Sequence, residues 1–311
     1  MNRGGQTAQD RDLAPAYRQI ERIAQQAARP DEPLSRHTTM RVGGPADLWV
    51  KPRTVTSALD VLSFCQRESV PHIVLGKGSN VIVSDSGYRG AVINLAGCFC
   101  RYRRLREGVR CGGGLSLSSL VRKLAGDGFS GLEWAVGIPG TVGGAVATNA
   151  GAHGAEMSGA LKRTVVMTEG EQRVRTGDAI PFSYREAELP GVVLEVELSL
   201  EEAPSDRVLE TMDRFMDMRK ETQPIRERTA GCVFKNPPGD SAGRIIDSMG
   251  LKGTTVGGAK VSELHANFIV NSGGATAAGV VALIELIRER VAERTGTQLE
   301  LEVQLVGDFV R

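Results

Sequence analysis

Short apolar runs alternate with amphipathic segments along the chain, and this alternation predicts a mixed fold of helices and strands. Apolar residues recur at helical spacing in residues 13–28, 55–68, 116–126, 208–220 and 277–295. Runs of apolar and β-branched residues predict strands at 46–50, 72–75, 81–83, 91–95, 192–200 and 299–306. Residues 46–95 therefore predict a βαββ unit with a glycine loop after its central strand.

Interruptions of these patterns indicate how the chain is divided. Residues 1–12 are polar and are predicted to fray, and the leader helix at 13–28 ends where Arg29 and Pro30 interrupt its spacing. The polar stretch 201–206 predicts a linker, after which the helix at 208–220 opens a distinct last third. We expect the leader helix to pack on the domain that follows it rather than to take part in chemistry.

The composition of the 311 residues is typical of a soluble folded chain, with 41% hydrophobic and 24% charged residues. Lysine and arginine number 38 against 37 for aspartate and glutamate, so the net charge is +1. This balance gives no electrostatic reason to expect nucleic acid or an anionic membrane as a partner. The chain has neither the apolar core of a secretory signal nor a run of about 18 apolar residues, so we expect a cytoplasmic location.

The five cysteines are an odd number, without a CxxC motif or nearby paired histidines. This pattern favours neither a disulfide scaffold nor a zinc site, so no metal is predicted. The sequence does not encode the oligomeric state, because the leader helix could pack within one chain or across an interface. A monomer is the favoured expectation.

Glycine is over-represented, with 38 glycines against 14 aromatic residues. One glycine-rich segment, residues 76–80, directly follows a predicted strand and is called loop one below. Its backbone N–H groups could turn towards an anion, and Ser79 and Asn80 would add short donors. Loop one lacks both the ending of a P-loop and the third glycine of a dinucleotide fingerprint. Taken alone, it therefore fits a tight turn without a ligand better.

Residues 137–152, called loop two below, carry mostly small side chains and no charge. Such a run cannot build an ordinary helix or strand face. A close-packed chain crossing would explain it, but Gly143, Gly144, Asn149 and Gly151 offer many donors without side-chain obstruction. Loop two therefore favours backbone lying against a flat ligand or a diphosphate.

Loop one followed about sixty residues later by loop two resembles the flavin-binding domain of the vanillyl-alcohol-oxidase superfamily. Five further motifs fall in order along the chain. Residues 37–46 precede loop one, and the others are Tyr184-Arg185, Arg219 with Gln223-Pro224, Gly-Cys-Val-Phe-Lys-Asn-Pro at 231–237, and Leu-Glu-Val at 301–303. Together they are similar to the UDP-N-acetylenolpyruvoylglucosamine reductases of peptidoglycan synthesis, over about residues 34–307. Only about six residues separate Arg185 from the strand at 192, so the resemblance is to the shorter type without a tyrosine-bearing lid loop.

The resemblance implies an α+β fold class: a two-subdomain FAD-binding unit of the vanillyl-alcohol-oxidase/PCMH type and a C-terminal α/β substrate-binding domain. The expected limits are 1–33 for the leader and helix, 34–100 and 101–206 for the two FAD-binding subdomains, and 207–311 for the substrate-binding domain. FAD is the implied cofactor, NADPH the implied hydride donor, and UDP-N-acetylglucosamine enolpyruvate the implied substrate. NADPH and substrate would use one cleft in turn, which explains why no separate Rossmann unit is visible.

The resemblance also implies which residues bind. The cofactor-binding positions are Gly76, Lys77, Gly78, Ser79, Asn80, Gly137, Ile138, Pro139, Gly140, Val142, Gly143, Gly144, Asn149 and Gly151. The substrate-binding positions are Tyr184, Arg219, Gln223, Lys235, Asn236 and His265. His265 is expected to be a structural hydrogen-bonding residue rather than the proton donor.

Three residues match the implied chemistry, in which a hydride passes from flavin N5 to C3 of the enolpyruvyl group and a proton to C2. Arg185 would polarise the substrate carboxylate, although it also fits a surface arginine in a charged loop. Glu302 would stabilise the enol, although Glu300, Glu302 and Gln304 share one polar strand face that suits solvated side chains. Cys232 stands where the family usually has a serine. Its thiol, with a reference pKa of about 8.5, would be the proton donor, although unaligned cysteines are most often inert.

Two other functions fit parts of the sequence. A flavin-dependent oxidase or dehydrogenase of the same superfamily would often attach its flavin covalently to a histidine or cysteine, and His153 is the nearest candidate. A catalytically impaired protein that binds flavin or sugar nucleotide would follow if Cys232 marked lost activity. The presence of Arg185 and Glu302 argues against this last alternative.

Overall fold

The computed structural model describes residues 12–309, so the stretch predicted to fray lies, except for Asp12, outside the described residues. Helices and strands are mixed along these residues, as the hydrophobic pattern predicts. The α-helices are α1 Ala14–Ile23, α2 Val55–Arg67, α3 Leu117–Asp127, α4 Val142–Ala147, α5 Ser205–Thr222, α6 Ala242–Ser248 and α7 Ala277–Thr295.

The strands are short and gather into three larger sheets and several two-stranded pairs. In chain order they are β1 Ala28–Pro33, β2 Pro45–Val50, β3 His72–Val74, β4 Val81–Val83, β5 Tyr88–Ile93, β6 Tyr102–Leu105, β7 Gly108–Gly112, β8 Phe129–Ser130, β9 Gly151–Ala152, β10 Ala155–Glu156, β11 Leu161–Thr168, β12 Glu171–Thr176, β13 Phe182–Ser183, β14 Glu186–Ala187, β15 Val192–Ser199, β16 Glu201–Glu202, β17 Thr229–Cys232, β18 Thr255–Val256, β19 Ala259–Val261, β20 Phe268–Asn271 and β21 Gln304–Val306.

The first unit is a four-stranded sheet in the order β1-β2-β5-β3, with β2, β5 and β3 parallel and β1 antiparallel at one edge. Helix α2 begins after Thr54, whose hydroxyl accepts the N–H of Ser57 and so satisfies one free donor of the first turn. Ile20 of α1 and Leu62 of α2 are fully buried in the same apolar cluster beside the sheet. The leader helix therefore packs on the unit that follows it, as predicted.

The predicted extent of the leader helix, residues 13–28, is wrong. Gln25 and Gln26 take positive φ angles of 50° and 66°, and the helix ends before them, at Ile23. The chain then forms β1, which contains Pro30. A proline has no N–H to donate, and β1 lies at the sheet edge, where one side of a strand needs no partner.

The predicted βαββ unit is also partly wrong, because β4 does not join this sheet. It pairs in parallel with β21 from the far end of the chain, so that β3 becomes an edge strand. The predicted strand at 299–306 is regular only over β21. Loop one therefore connects β3 of the first sheet to β4, which pairs with the C-terminal segment, residues 296–309.

The second unit is a five-stranded antiparallel sheet in the order β12-β11-β15-β7-β6. The predicted linker at 201–206 is wrong: β16 pairs with β8, and α5 already begins at Ser205. Val208 and Met212 of α5 are buried in one cluster with Leu120 and Leu124 of α3. Helix α5 therefore packs on the second unit, while the predicted domain limits as a whole stay predictions.

The third unit is an antiparallel sheet in the order β17-β20-β19-β18, and its core includes residues of α6 and α7. Helix α7 covers the predicted residues 277–295, starting at the N-cap Thr276 and ending at Gly296 in the left-handed conformation. Ile246, Leu283 and Phe234 are almost completely buried in its core. Within residues 12–309, no helix is both long and apolar enough to cross a bilayer.

Candidate active site

A cavity of about 650 Å³ lies where loop one, loop two and the third unit meet. Eleven of the fourteen predicted cofactor-binding residues line it: Gly76, Lys77, Gly78, Ser79, Asn80, Gly137, Ile138, Pro139, Gly140, Gly144 and Gly151. Arg185, Arg219, Gln223, Cys232 and Glu302 line it as well. The fold therefore brings the glycine loops and all three predicted catalytic residues to one cavity.

Loop one is held in a conformation that requires glycine. Gly78 has a φ of +59°, and a Cβ built on it would lie 2.4 Å from the carbonyl oxygen of His37. The backbone N–H groups of residues 76–80 donate no hydrogen bond to another residue between 12 and 309. The Lys77 ammonium donates to Ser116 Oγ at 2.6 Å, and burial, aided by the nearby Arg122, lowers the pKa of Lys77.

Loop two folds back on loop one through hydroxyl groups. Ser79 Oγ donates to the carbonyl oxygen of Pro139 at 2.9 Å. Thr141 caps α4 by accepting the N–H of Gly144, and a Cβ on Gly76 would lie only 2.7 Å from the Thr141 hydroxyl oxygen. Thr141 and Ser116 are not among the predicted site residues, because nothing in their local sequence marks them as partners of loop one.

Three predicted cofactor-binding residues are absent from the cavity wall. Val142 is fully buried in the core of the second unit, and Gly143 donates its N–H to Gly113. Asn149 is also fully buried, and its side chain joins the carbonyl oxygen of Ser183 to the N–H of Ser158. In this structure these three residues anchor loop two to the second unit and do not face the cavity.

The remaining wall fits FAD. Loop one offers unused backbone N–H donors, which suit a diphosphate, and both loops carry small side chains that let a flat ring approach the backbone. The cavity volume lies within the range of about 300–1,000 Å³ that is usual for ligand sites.

Arg185 lies in a two-residue turn between β13 and β14 and has a φ of +62°. Its Nε forms an ion pair with Glu302 Oε1 at 3.1 Å, although the two groups are not aligned for a hydrogen bond. The Arg185 side chain is 22% exposed. The interpretation of Arg185 as a surface arginine is therefore wrong. Tyr184 is half-exposed outside the cavity wall, with the Arg185 guanidinium 5.0 Å from its ring centroid.

Glu302 is turned inwards, unlike the glutamate two positions before it. Its side chain is 18% exposed, whereas that of Glu300 is 78% exposed. Burial raises the pKa of Glu302, and the nearby Arg185 and Lys235 oppose that rise. The interpretation of Glu300, Glu302 and Gln304 as three solvated side chains is therefore wrong for Glu302.

Cys232 ends β17, opposite Phe268, after an irregularity in the strand register. Burial raises the pKa of its thiol to about 12; the charge of Glu302 adds to the rise, and Arg185 and Arg219 oppose it. Cys232 is therefore a thiol rather than a thiolate at neutral pH. A group that must give away a proton needs this form.

The predicted substrate-binding residues divide into two groups. Arg219 and Gln223 line the cavity, and Arg219 is 8% exposed with no hydrogen-bond partner for its Nε among residues 12–309. Lys235, Asn236 and His265 lie outside the cavity wall. Lys235 is 3.8 Å from Glu300 Oε2, Asn236 Oδ1 accepts the N–H of Ala242, and His265 Nδ1 accepts the N–H of Asn267.

His153, the candidate for covalent flavin attachment, does line the cavity. Its ring stacks on Phe215 with centroids 4.3 Å apart, and burial together with the charge of Arg219 lowers its pKa. The ring is thus held in a stack by the second unit.

Comparisons with known proteins agree with this geometry. A model of FAD-binding domains matches residues 46–169, and a model of the C-terminal domain of UDP-N-acetylenolpyruvoylglucosamine reductase matches residues 223–306. The UDP-N-acetylenolpyruvoylglucosamine reductase of Bacillus velezensis is 42% identical over 281 residues, which is 89% of this chain and 93% of the relative. That of Bacillus subtilis is 42% identical over 282 residues, with the same coverage. The crystal structure of the Thermus caldophilus reductase is 41% identical, with a TM-score of 0.79 over 90% of this chain and 100% of that chain.

Two observations define the class of protein as an FAD-dependent oxidoreductase. One is the match to an FAD-binding domain, and the other is the cavity lined by both glycine loops. The two relatives that are 42% identical along most of both chains are UDP-N-acetylenolpyruvoylglucosamine reductases. The chain belongs to the UDP-N-acetylenolpyruvoylglucosamine reductase family. This confirms the predicted fold class and the prediction of FAD as cofactor.

Proposed function

We propose that this chain reduces UDP-N-acetylglucosamine enolpyruvate to UDP-N-acetylmuramate for peptidoglycan synthesis, with FAD as cofactor and NADPH as hydride donor. The observation that carries the proposal is the meeting of Arg185, Cys232 and Glu302 with both glycine loops at one cavity. Family membership supports the same reaction. The implied substrates are cytosolic nucleotides, so we propose a cytoplasmic location, and a monomer remains our expectation.

The glycine loops would hold the cofactor. The free N–H groups of residues 76–80 are suited to its diphosphate, and the small residues of loop two are suited to its ring. Bound FAD would supply the hydride that C3 of the enolpyruvyl group receives, having taken it from NADPH.

Arg185 would bind the substrate carboxylate. Hydride arrival at C3 pushes electron density onto that carboxylate, and a fixed guanidinium in a half-buried site stabilises the developing charge. The Arg185 side chain already lines the cavity beside Glu302, so the guanidinium would be in place before the hydride arrives.

Glu302 would hold the enol form of the substrate. Because burial raises its pKa, the carboxyl group can carry a proton at a higher pH than an exposed glutamate and donate a hydrogen bond to an enol(ate) oxygen. Cys232 would then give its proton to C2 of the substrate. The thiolate left behind faces the charges of Arg185 and Arg219, and it recovers a proton from solvent before the next turnover.

The first test is the visible spectrum of the purified protein, before and after anaerobic NADPH and then with the enolpyruvyl sugar nucleotide. We expect an oxidised-flavin spectrum that bleaches with NADPH and returns on addition of the substrate. Bleaching without return would favour the catalytically impaired alternative. Flavin that stays attached after denaturation of the protein would favour the oxidase alternative, with His153 as the attachment point to examine. A protein that cannot be loaded with FAD would contradict the proposal.

A further inference from the structure

Loop one reaches the predicted catalytic residues through one side chain. Asn80 donates its Nδ2–H to the main-chain carbonyl oxygen of Glu302 at 3.1 Å. The carbonyl oxygen of Asn80 accepts the N–H of Gln304 at 2.9 Å, just before the β4–β21 pairing begins. Loop one is thus bonded to both peptide groups that follow Glu302.

On its other side, the backbone of Glu302 is bonded to the residue that directly follows the strand carrying the thiol. The N–H of Glu302 donates to the carbonyl oxygen of Val233, the residue directly after Cys232, at 2.8 Å. The backbone of Glu302 is therefore held between the cofactor loop and the proton donor. Fixing the peptide groups on both sides of a residue fixes the direction in which its side chain leaves the backbone.

The sequence resemblance assigns Asn80 to cofactor binding, but the hydrogen bond of its amide is made to Glu302. We propose that Asn80 is a positioning residue, whose side-chain amide holds the Glu302 carboxyl in register with the cofactor loop. This inference rests on the proposed function, in which Glu302 acts on the substrate. Its loss should therefore slow the step in which substrate reoxidises the flavin, and leave flavin reduction by NADPH unchanged.

The test measures both half-reactions separately, by anaerobic stopped-flow absorbance of the FAD-loaded protein. For Asn80→Ala we expect reoxidation by the enolpyruvyl sugar nucleotide to slow by about tenfold or more, because displacements of about 1 Å at a reacting group can cost about 100-fold. Reduction by NADPH and the FAD dissociation constant should stay within about threefold of wild type, which is less than one lost hydrogen bond to FAD can cost. Ser79→Ala is the matched variant, because Ser79 bonds to Pro139 in loop two and not to Glu302. Any loss that it causes should fall on FAD affinity or on both half-reactions together.

Asn80→Asp adds a signature that a purely structural role would not produce. An ionised carboxylate opposite the carbonyl oxygen of Glu302 cannot donate, whereas the protonated acid can. The reoxidation rate of Asn80→Asp relative to wild type should therefore recover as the pH falls through the pKa of the introduced carboxyl. The same ratio for Asn80→Ala should show no such recovery.

Reoxidation of Asn80→Ala at the wild-type rate would overturn the inference. A loss of FAD affinity larger than the loss of reoxidation rate would also overturn it, because the amide would then act on the cofactor. If Asn80→Ala does not fold, the pH dependence of Asn80→Asp decides, and a constant ratio to wild type counts against the inference. A wild-type protein that NADPH reduces but the sugar nucleotide does not reoxidise would overturn the proposed function and this inference with it.

Discussion

The Nε atom of Arg185 and the Oε1 atom of Glu302 lie 3.1 Å apart, although the two residues come from the second unit and from the C-terminal segment. Both side chains are largely shielded from solvent, at 22% and 18% exposure. The pair therefore places a cation next to a carboxyl group whose pKa burial raises. Burial favours the protonated form of the Glu302 carboxyl, and the charge of Arg185 favours the ionised form.

Removal of the arginine charge should weaken the reduction of substrate. For Arg185→Ala we expect flavin reoxidation by the enolpyruvyl sugar nucleotide to slow by about 10²–10³-fold, the usual cost of losing one group that stabilises developing negative charge. Arg185→Lys keeps the charge but not the planar fork, so it should recover part of the loss. Single-turnover reoxidation measures this, and a loss below about tenfold for Arg185→Ala would contradict the role.

The raised pKa of Glu302 should appear in the pH dependence of folding stability. Between the ordinary glutamate pKa of about 4.3 and the raised value, the folded protein binds a proton that the unfolded chain has released. The contribution of this group is therefore complete below the ordinary pKa and is lost as the pH rises through the raised one. Thermal unfolding of wild type against Glu302→Gln should show the wild type losing stability relative to the variant over that range. A difference in melting temperature that does not vary with pH would contradict the shift.

Substitutions at Cys232 should separate a proton donor from an inert thiol. Cys232→Ser keeps an exchangeable proton on a side chain of similar size, and we expect product formation within about tenfold of wild type. Cys232→Ala removes the only exchangeable proton of the side chain and should reduce product formation by about 10²–10⁴-fold. NADPH-dependent bleaching should be kept in both variants, because the thiol acts after hydride transfer. A loss of less than about tenfold in Cys232→Ala would remove Cys232 from the mechanism.

The fold follows from the sequence mostly where a signal is local. Helices α2 and α7 occur close to their predicted positions because caps and apolar spacing are local features. The predicted end of the leader helix and the predicted place of β4 in the first sheet are wrong. The first depends on two glutamines with positive φ, and the second on a strand from the opposite end of the chain. A short window of sequence shows which residues form a strand but not which distant strand they pair with.

The candidate site, like the fold, is predictable from the sequence only where its signal is local. The glycine loops were recognisable from composition, and the three catalytic candidates from their motifs. The sequence predicts Asn149 as a free donor within loop two, but Asn149 is fully buried between Ser183 and Ser158, which local sequence does not reveal. The inward direction of Glu302 depends on hydrogen bonds to Val233 and Asn80, which are distant in sequence.

The raised pKa of the Cys232 thiol gives a separate prediction for the pH profile. A donor works only while protonated, so an ordinary thiol with a pKa of about 8.5 would lose activity across mildly alkaline pH. The pKa of Cys232 is raised to about 12, so the rate of substrate reduction should not fall from thiol ionisation between about pH 7 and about pH 9. Cys232→Ser, whose hydroxyl does not ionise there, is the matched control and should give the same alkaline profile. An alkaline decrease present in wild type and absent from Cys232→Ser would contradict the shift.

Loop one should tolerate no side chain at Gly78. Its φ of +59° is unfavourable for an alanine, and the added Cβ would lie 2.4 Å from His37 O and 2.8 Å from Thr38 Cα, both of them backbone atoms that cannot rotate away. For Gly78→Ala we expect FAD affinity to decrease by at least about tenfold, because the main chain of loop one must shift where its N–H groups would meet the cofactor.

Gly126→Ala is the matched control for the Gly78 prediction. Gly126 lies inside α3 with open space around its Cβ position, so alanine there should increase the free energy of unfolding by about 0.5–1 kcal/mol and leave FAD affinity unchanged. Titration of the two apoproteins with FAD, followed by flavin fluorescence, measures both affinities, and thermal unfolding measures both stabilities. If Gly78→Ala bound FAD as tightly as Gly126→Ala, the close approach of loop one to His37 would not control the cofactor site, and the assignment of the diphosphate to its N–H groups would lose its basis.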